Sequence, residues 1–169
     1  MNENKIIIGI GGNIHSSDGL HPIEIGEKAL KSMRQSSINI EKKSSWYLSD
    51  PIPKSDQPKF FNSIVFAKTT LNEFDLLATL HDIENNLGRV RKNINEARVI
   101  DLDLIDYSSK ILKNKNIVIP HPRAHLRRFV MQPLAEVEKN WIHPILKLSA
   151  TDILNGLETQ EIELFVKSK

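Results

Sequence analysis

Two segments of helical periodicity, each enclosed by strand-length apolar runs, restrict this chain to few architectures. Residues 5–10 read as a buried strand closed by a turn at Gly11, Gly12 and Asn13. Residues 22–36 place Ile23, Ala29, Leu30 and Met33 along one side of a helix. Residues 38–47 and 61–69 read as two further strands. Between them, residues 49–58 hold three prolines, none with a backbone donor, and form an irregular loop. The clearest helix carries Phe74, Leu77, Leu80, Ile83 and Leu87, with Asn72 or Thr70 as cap and Gly88 as its end. Residues 99–107 form the last long strand, followed by a short hairpin and a helix reaching Val137. The order strand, helix, strand, strand, helix, strand predicts an α+β protein with a ferredoxin-like split β-α-β antiparallel sheet. Helices pack mainly on one face, with extra helices at the C-terminal end, and residues 1–169 make one domain.

Asp101 and Asp103 flank Leu102 in the last strand. Strand alternation puts both carboxylates on one face, about 6.5–7 Å apart, and turns Ile100, Leu102 and Leu104 to the core. Like charges so close repel unless cations stand between them. Two magnesium ions about 3.5–4 Å apart are able to bridge such a pair. Taken alone, the pattern also describes a half-exposed strand with a solvated polar face. The neighbouring residues argue further: Glu84 lies near the end of the preceding helix, Arg89 and Arg91 follow it, and Arg98 stands three residues before Asp101. Carboxylates for magnesium beside guanidinium forks suit a polyphosphate. Residues 120–129 add a second basic cluster, in which His121 is held between Pro120 and Pro122. Arg123 and Arg128 read as solvated or capping residues, and Phe60 and Phe129, by spacing alone, as core. The phosphate-binding glycine loops of nucleotide enzymes are absent, so side chains and magnesium must hold the phosphates.

Other features exclude whole classes. There is no cysteine, hence no disulfide or thiolate chemistry. A formal charge of +2 is small for a general nucleic-acid binder. No apolar stretch approaches membrane-spanning length, and the opening apolar run is too short for a leader. The expectation is a cytoplasmic monomer with neither a nucleic-acid nor a membrane partner. Two other readings stay open: a two-metal nucleotidyltransferase, and an RNA-binding module of the same sheet topology, although the latter needs stacking aromatics where this strand shows aspartates.

The motifs, in order, are G-G-N at residues 11–13, D-Q-P-x-F-x-N at 56–62, I-E-x-x-L-G-R-V-R at 83–91, R-x-x-D-L-D at 98–103, P-H-P-R at 120–123, R-x-F-V at 127–130 and W-x-H-P at 141–144. Together they resemble the 6-hydroxymethyl-7,8-dihydropterin pyrophosphokinases of folate biosynthesis, in register from Ile6 to about Leu157. The resemblance implies pyrophosphoryl transfer from ATP to the pterin's hydroxymethyl group with release of AMP. It implies that Asp101 and Asp103 hold two Mg2+ ions, that Glu84, Arg91, His121 and Arg127 contact ATP, and that Arg89 and Arg98 serve the transferring phosphates. The pterin then lies between Phe60 and Phe129, with Asn62 at its polar edge and the backbone around Ser49 and Ile52 completing the pocket. The chain departs from the family at Gly12, where Ser is usual, and at residues 95–98, which lack the usual aromatic.

Overall fold

A computed structural model describes residues 3–90 and 93–166. The elements follow the order read from the sequence: β1 (Asn4–Gly12), α1 (Pro22–Arg34), β2 (Ile38–Lys43), β3 (Tyr47–Ser49), β4 (Phe60–Thr69), α2 (Glu73–Asn86) and β5 (Asp101–Tyr107). A small hairpin, β6 (Leu112–Lys113) and β7 (Val118–Ile119), precedes α3 (Arg128–Val137), α4 (Ala150–Leu154) and β8 (Ile162–Leu164). The main sheet runs β5-β1-β4-β3-β8, with β2 also paired to β4, and every pairing is antiparallel. Helix α1 starts with a His21 capping box and α2 with Asn72, whose side chain accepts from the amides of Phe74 and Asp75.

The sheet is covered on both faces, not mainly on one. Ile6, Ile8 and Ile10 of β1 pack with α1 and α2, through Leu30, Met33, Leu76 and Leu80. Ile7 points the other way and joins Val130, Met131 and Leu134 of α3 and Ile153 of α4. Burial of apolar surface on both sides is the main stabilising term for such a layered fold. The buried side of α2 is Leu76, Leu80, Ile83 and Glu84, while Phe74 stays 47% exposed, so the apolar stripe is rotated from the spacing first read.

Three boundaries differ from the sequence reading. Strand β1 continues through Gly11 and Gly12 because both find partners in β4, and Gly11 also pairs with Asp101 of β5. The single strand expected over 38–47 is broken at Ser44: its hydroxyl accepts from the Ile64 amide at 2.9 Å, and Trp46 turns into the core against Gly26. A Cβ at Gly26 would lie 2.4 Å from the Trp46 ring, so that glycine makes the indole's space. The helix reaching Val137 begins only at Arg128; before it lie a 3-10 turn at Ala124–Leu126 and an extended Arg127. Strand β8 has no counterpart in the sequence reading.

Candidate active site

Strand β5 forms one edge of the sheet, so its outward backbone groups need partners from elsewhere. They find them in residues of the predicted site. The Leu102 amide donates to Glu84 Oε1 at 2.6 Å, and the Ile100 carbonyl accepts from Arg89 Nη1 at 2.7 Å. The Ile105 carbonyl accepts from the His121 amide at 2.9 Å. Asp101 pairs across the sheet with Gly11, and Asp103 with Gly9. Cross-strand partners share a face, so the glycines leave room beside the two carboxylates. One cavity results, lined by Asp101, Asp103, both glycines, Arg89, Arg98, Arg123, Arg127 and His121. Leu102 and Leu104 point to the opposite core, as the alternation predicts. Ile105, on the same face as Asp101 and Asp103, enters the second core. A bulge beyond Leu104 keeps Asp106 on that face opposite Ile7, where it accepts from Trp141 Nε1 at 3.3 Å.

The two carboxylates have different surroundings. Asp101 bonds both Arg89 and Arg98, the latter at 2.8 Å. Burial, with the Asp101 charge next in importance, pushes the Asp103 carboxyl up to about 7. The ionised form of Asp103 is therefore incompletely compensated in this cavity. Among the described residues the buried Nε–H groups of Arg89 and Arg98 find no hydrogen-bond partner. Burial, followed by the charges of Arg127 and Arg123, lowers His121 to about 4. Its Nδ1 accepts from the Arg123 amide at 3.2 Å, which leaves the neutral ring its Nε2–H as a donor.

The same cavity holds Phe60, Phe129, Asn62, Ser49 and Ile52. Each phenyl ring carries a guanidinium: Arg98 lies 5.4 Å from the Phe60 centroid, and Arg127 lies 5.5 Å from that of Phe129. Both rings, read as core from spacing alone, line the cavity, and Phe129 also packs against the second core. Asn62 is 5% exposed and donates to Ser49 Oγ at 2.9 Å and to the Phe60 carbonyl at 3.2 Å. Its Oδ1 lies over Gly11, where a Cβ would stand 3.5 Å away.

Residues 7–139 match the family of 7,8-dihydro-6-hydroxymethylpterin-pyrophosphokinase (HPPK). The chain belongs to this family. A Haemophilus influenzae protein, 2-amino-4-hydroxy-6-hydroxymethyldihydropteridine pyrophosphokinase, is 36% identical over 81% of this chain and 83% of its own length. The protein of that name from Synechocystis is 38% identical over 82% and 68%. The folic acid synthesis protein fol1 of Pneumocystis carinii is 31% identical over 96% of this chain, which spans only 21% of that longer protein. In structure, the chain is similar to wild-type Plasmodium falciparum HPPK-DHPS, with a TM-score of 0.70 at 13% identity. That likeness covers 92% of this chain and 45% of the other and bears on the fold alone.

Glu84, carried over from the pyrophosphokinase resemblance, is not among the residues that line the cavity. Arg91 lies outside the described residues. Glu84 has a side chain only 1% exposed and braces β5 through the Leu102 amide, with Arg89 Nη1 at 3.6 Å. Its carboxylate thus braces the strand that carries Asp101 and Asp103. Sequence reasoning also missed participants. Arg123, read as solvated, lines the cavity, and so do Asn95 and Asp50. Arg128, read as capping its own helix start, instead donates to the carbonyls of Gln160 and Glu158. Asn13 had no role assigned, yet it ties three loops together. Its Nδ2 donates to the Pro58 carbonyl at 3.0 Å and to Gln57, its Oδ1 accepts from the Arg98 amide, and its own amide donates to the Arg98 carbonyl. Position 12 has no room for a side chain, because a Cβ would stand 2.6 Å from the Val99 carbonyl oxygen. The only advance signal for either residue was the G-G-N motif.

Proposed function

We propose that this chain transfers the β,γ-pyrophosphoryl group of ATP to the hydroxymethyl oxygen of 6-hydroxymethyl-7,8-dihydropterin, giving AMP and the pterin diphosphate in folate biosynthesis. One observation carries the reading beyond family membership: a single cavity joins paired aspartates and four arginines to two phenyl rings and a buried amide. The first group suits a polyphosphate and the second a flat heteroaromatic ring with a polar edge.

Magnesium fits the carboxylates present. They are hard oxygen donors, and the raised Asp103 carboxyl marks negative charge that a cation would compensate. Among the described residues no group of three or more His, Asp or Glu forms a ready cation cage. Phosphate oxygens and water would therefore complete the coordination of the two ions we assign to Asp101 and Asp103. Bound there, magnesium supplies charge neutralisation and Lewis acidity on the phosphate oxygens.

This chain's own residues do the rest. Arg89 and Arg98, fixed by Asp101, present guanidinium forks to the migrating phosphates, and Arg127 and the neutral His121 donate to ATP. Phe60 and Phe129 hold the pterin plane while Asn62 and the backbone near Ser49 and Ile52 meet its edge. The hydroxymethyl oxygen then attacks the β-phosphorus in line. The bond from the β-phosphorus to the α,β-bridging oxygen breaks, its electron pair leaves on AMP, and the hydroxyl proton is released. His121, at about 4, is a weak base for that proton, so positioning and charge stabilisation carry the rate. We assign the activity to a cytoplasmic monomer that needs no nucleic acid. Among the described residues no helix is long and apolar enough to cross a membrane.

The test incubates the protein with Mg2+, ATP and 6-hydroxymethyl-7,8-dihydropterin and quantifies products. One AMP per pterin diphosphate, with no AMP when the pterin is omitted, is the expected result. Free pyrophosphate released with a nucleotidylated product would assign a nucleotidyltransferase instead. Sedimentation with and without RNA checks the monomer and the absence of nucleic acid.

A further inference from the structure

The chain beyond Leu157 lies outside the region that matches the family, yet it reaches both sides of the cavity. Gln160 is the central contact. Its Oε1 accepts from the Arg128 amide at 2.8 Å, and its Nε2 donates to the Leu126 carbonyl at 2.8 Å. One side-chain amide thus brackets Arg127. Arg127 is the N-cap of α3 and supplies no side-chain cap, so Gln160 provides the acceptor that the first helical amide lacks. The bracket also fixes where Phe129, the second residue of α3, leaves the backbone. Arg128 returns the contact by donating to the Gln160 carbonyl at 3.0 Å and to that of Glu158 at 3.4 Å.

Two residues further on, β8 pairs with β3, with Ile162 opposite Ser49. Glu163 ion-pairs with Lys59, the neighbour of Phe60. The Phe165 amide donates to the Trp46 carbonyl at 2.8 Å, closing the segment onto the sheet. A second hollow lies between Gln160, Arg128 and Lys54 and shares Ser49, Ile52 and Phe129 with the main cavity. The C-terminal segment therefore spans from the Phe129 wall to the Ser49 and Phe60 wall.

We infer that Gln160 is a positioning residue for the acceptor: its amide, held in place by β8, sets the Arg127–Phe129 wall at the separation that admits a flat ring. This rests on the proposed pterin-binding role of Phe129 and Ser49. Gln160 does not line the main cavity, so its loss should act on acceptor affinity and leave the chemistry of bound substrates in place.

The test compares wild type, Gln160→Ala and Gln160→Glu. The glutamate keeps the acceptor for the Arg128 amide and loses the donor to Leu126. Calorimetric titration of 6-hydroxymethyl-7,8-dihydropterin, with a non-hydrolysable ATP analogue present, should show roughly tenfold weaker binding for alanine, the scale of one or two lost hydrogen bonds. Glutamate should recover part of that loss. The KM for pterin should rise in parallel, while kcat at saturation stays within about threefold. Amide exchange at Val130 and Met131, in the first turn of α3, should quicken in the alanine variant. Unchanged pterin affinity together with unchanged exchange overturns the inference, as does a fall in kcat with KM unmoved. If the wild type itself binds no pterin, the acceptor assignment fails separately, and exchange at Val130 and Met131 alone decides whether Gln160 holds this wall.

Discussion

The side of this cavity proposed to take phosphates and the side proposed to take the acceptor are built in opposite ways. Asp101 and Asp103 sit two residues apart in one strand whose regular pleat aims them together, and Arg98 is only three residues upstream. Phe60 and Phe129 are carried by β4 and α3, and their wall is joined to β3 by a C-terminal segment bonded through Gln160 and β8. A local site keeps its geometry as long as its strand does. An assembled site depends on several long-range contacts and loosens when any one of them is lost. The first is therefore sensitive to charge and the second to packing and position.

The largest effect should come from the carboxylates. Asp101→Ala or Asp103→Ala should lower turnover about a thousandfold or more, since each removes a proposed metal ligand and a charge from polyphosphate neutralisation. The fold should persist, because Leu102 and Leu104 hold the opposite face of β5. Steady-state rates beside circular dichroism check this, and near-normal turnover of a double alanine variant would remove the metal assignment.

Next come the arginines. Arg98→Ala should slow the single-turnover step about a hundredfold, as for loss of one preorganised donor, with a smaller change in ATP affinity. Arg127→Ala should weaken ATP binding more than it slows the step. The opposite ordering would exchange their roles.

On the acceptor side, Phe60→Ala or Phe129→Ala should weaken pterin binding roughly tenfold, within the about 1–3 kcal/mol of a base stacked on an aromatic ring. ATP binding without pterin should change little. Variants that melt much lower but bind pterin normally would return both rings to a purely structural role and erase the contrast drawn above.

The smallest expected effect concerns pH. The Asp103 carboxyl moves from an ordinary 3.8 to about 7 on folding, so the folded chain holds a proton that the unfolded chain has lost. That contribution to stability is present at low pH and declines as pH rises toward and through 7. Asp103→Asn removes the charge, so without metal the variant should melt higher than wild type at pH 8. The gap should narrow as pH falls below 7 and close only near 3.8, where the unfolded carboxyl is protonated too. For a chain of this size a kcal/mol corresponds to about 2–4 °C. Saturating Mg2+ should raise the wild type at pH 8 and leave the variant less changed. A gap independent of pH would mean that Asp103 is not the titrating group.

What could be read before folding follows the same division. The strand and helix order, the shared face of Asp101 and Asp103, and the Asn72 cap all rest on periodicities of a few residues, and the structure reproduces each of them. The break at Ser44, the continuation of β1 through Gly12, and the extended Arg127 depend on partners twenty or more residues away and left no local trace. Phe60 and Phe129 came from family resemblance, because an aromatic in a strand or an amphipathic helix looks the same whether it faces a core or a cavity. Glu84 illustrates the limit most directly. Its spacing places it near the site, but only the tertiary structure turns its carboxylate onto the Leu102 amide behind the strand. The sequence by itself determined the fold class and the acidic pair, because local pleat and helical spacing are properties of neighbouring residues. The tertiary structure decided which side chains share the cavity, because an unpaired edge strand and an uncapped helix recruit partners from distant segments to satisfy their backbone groups.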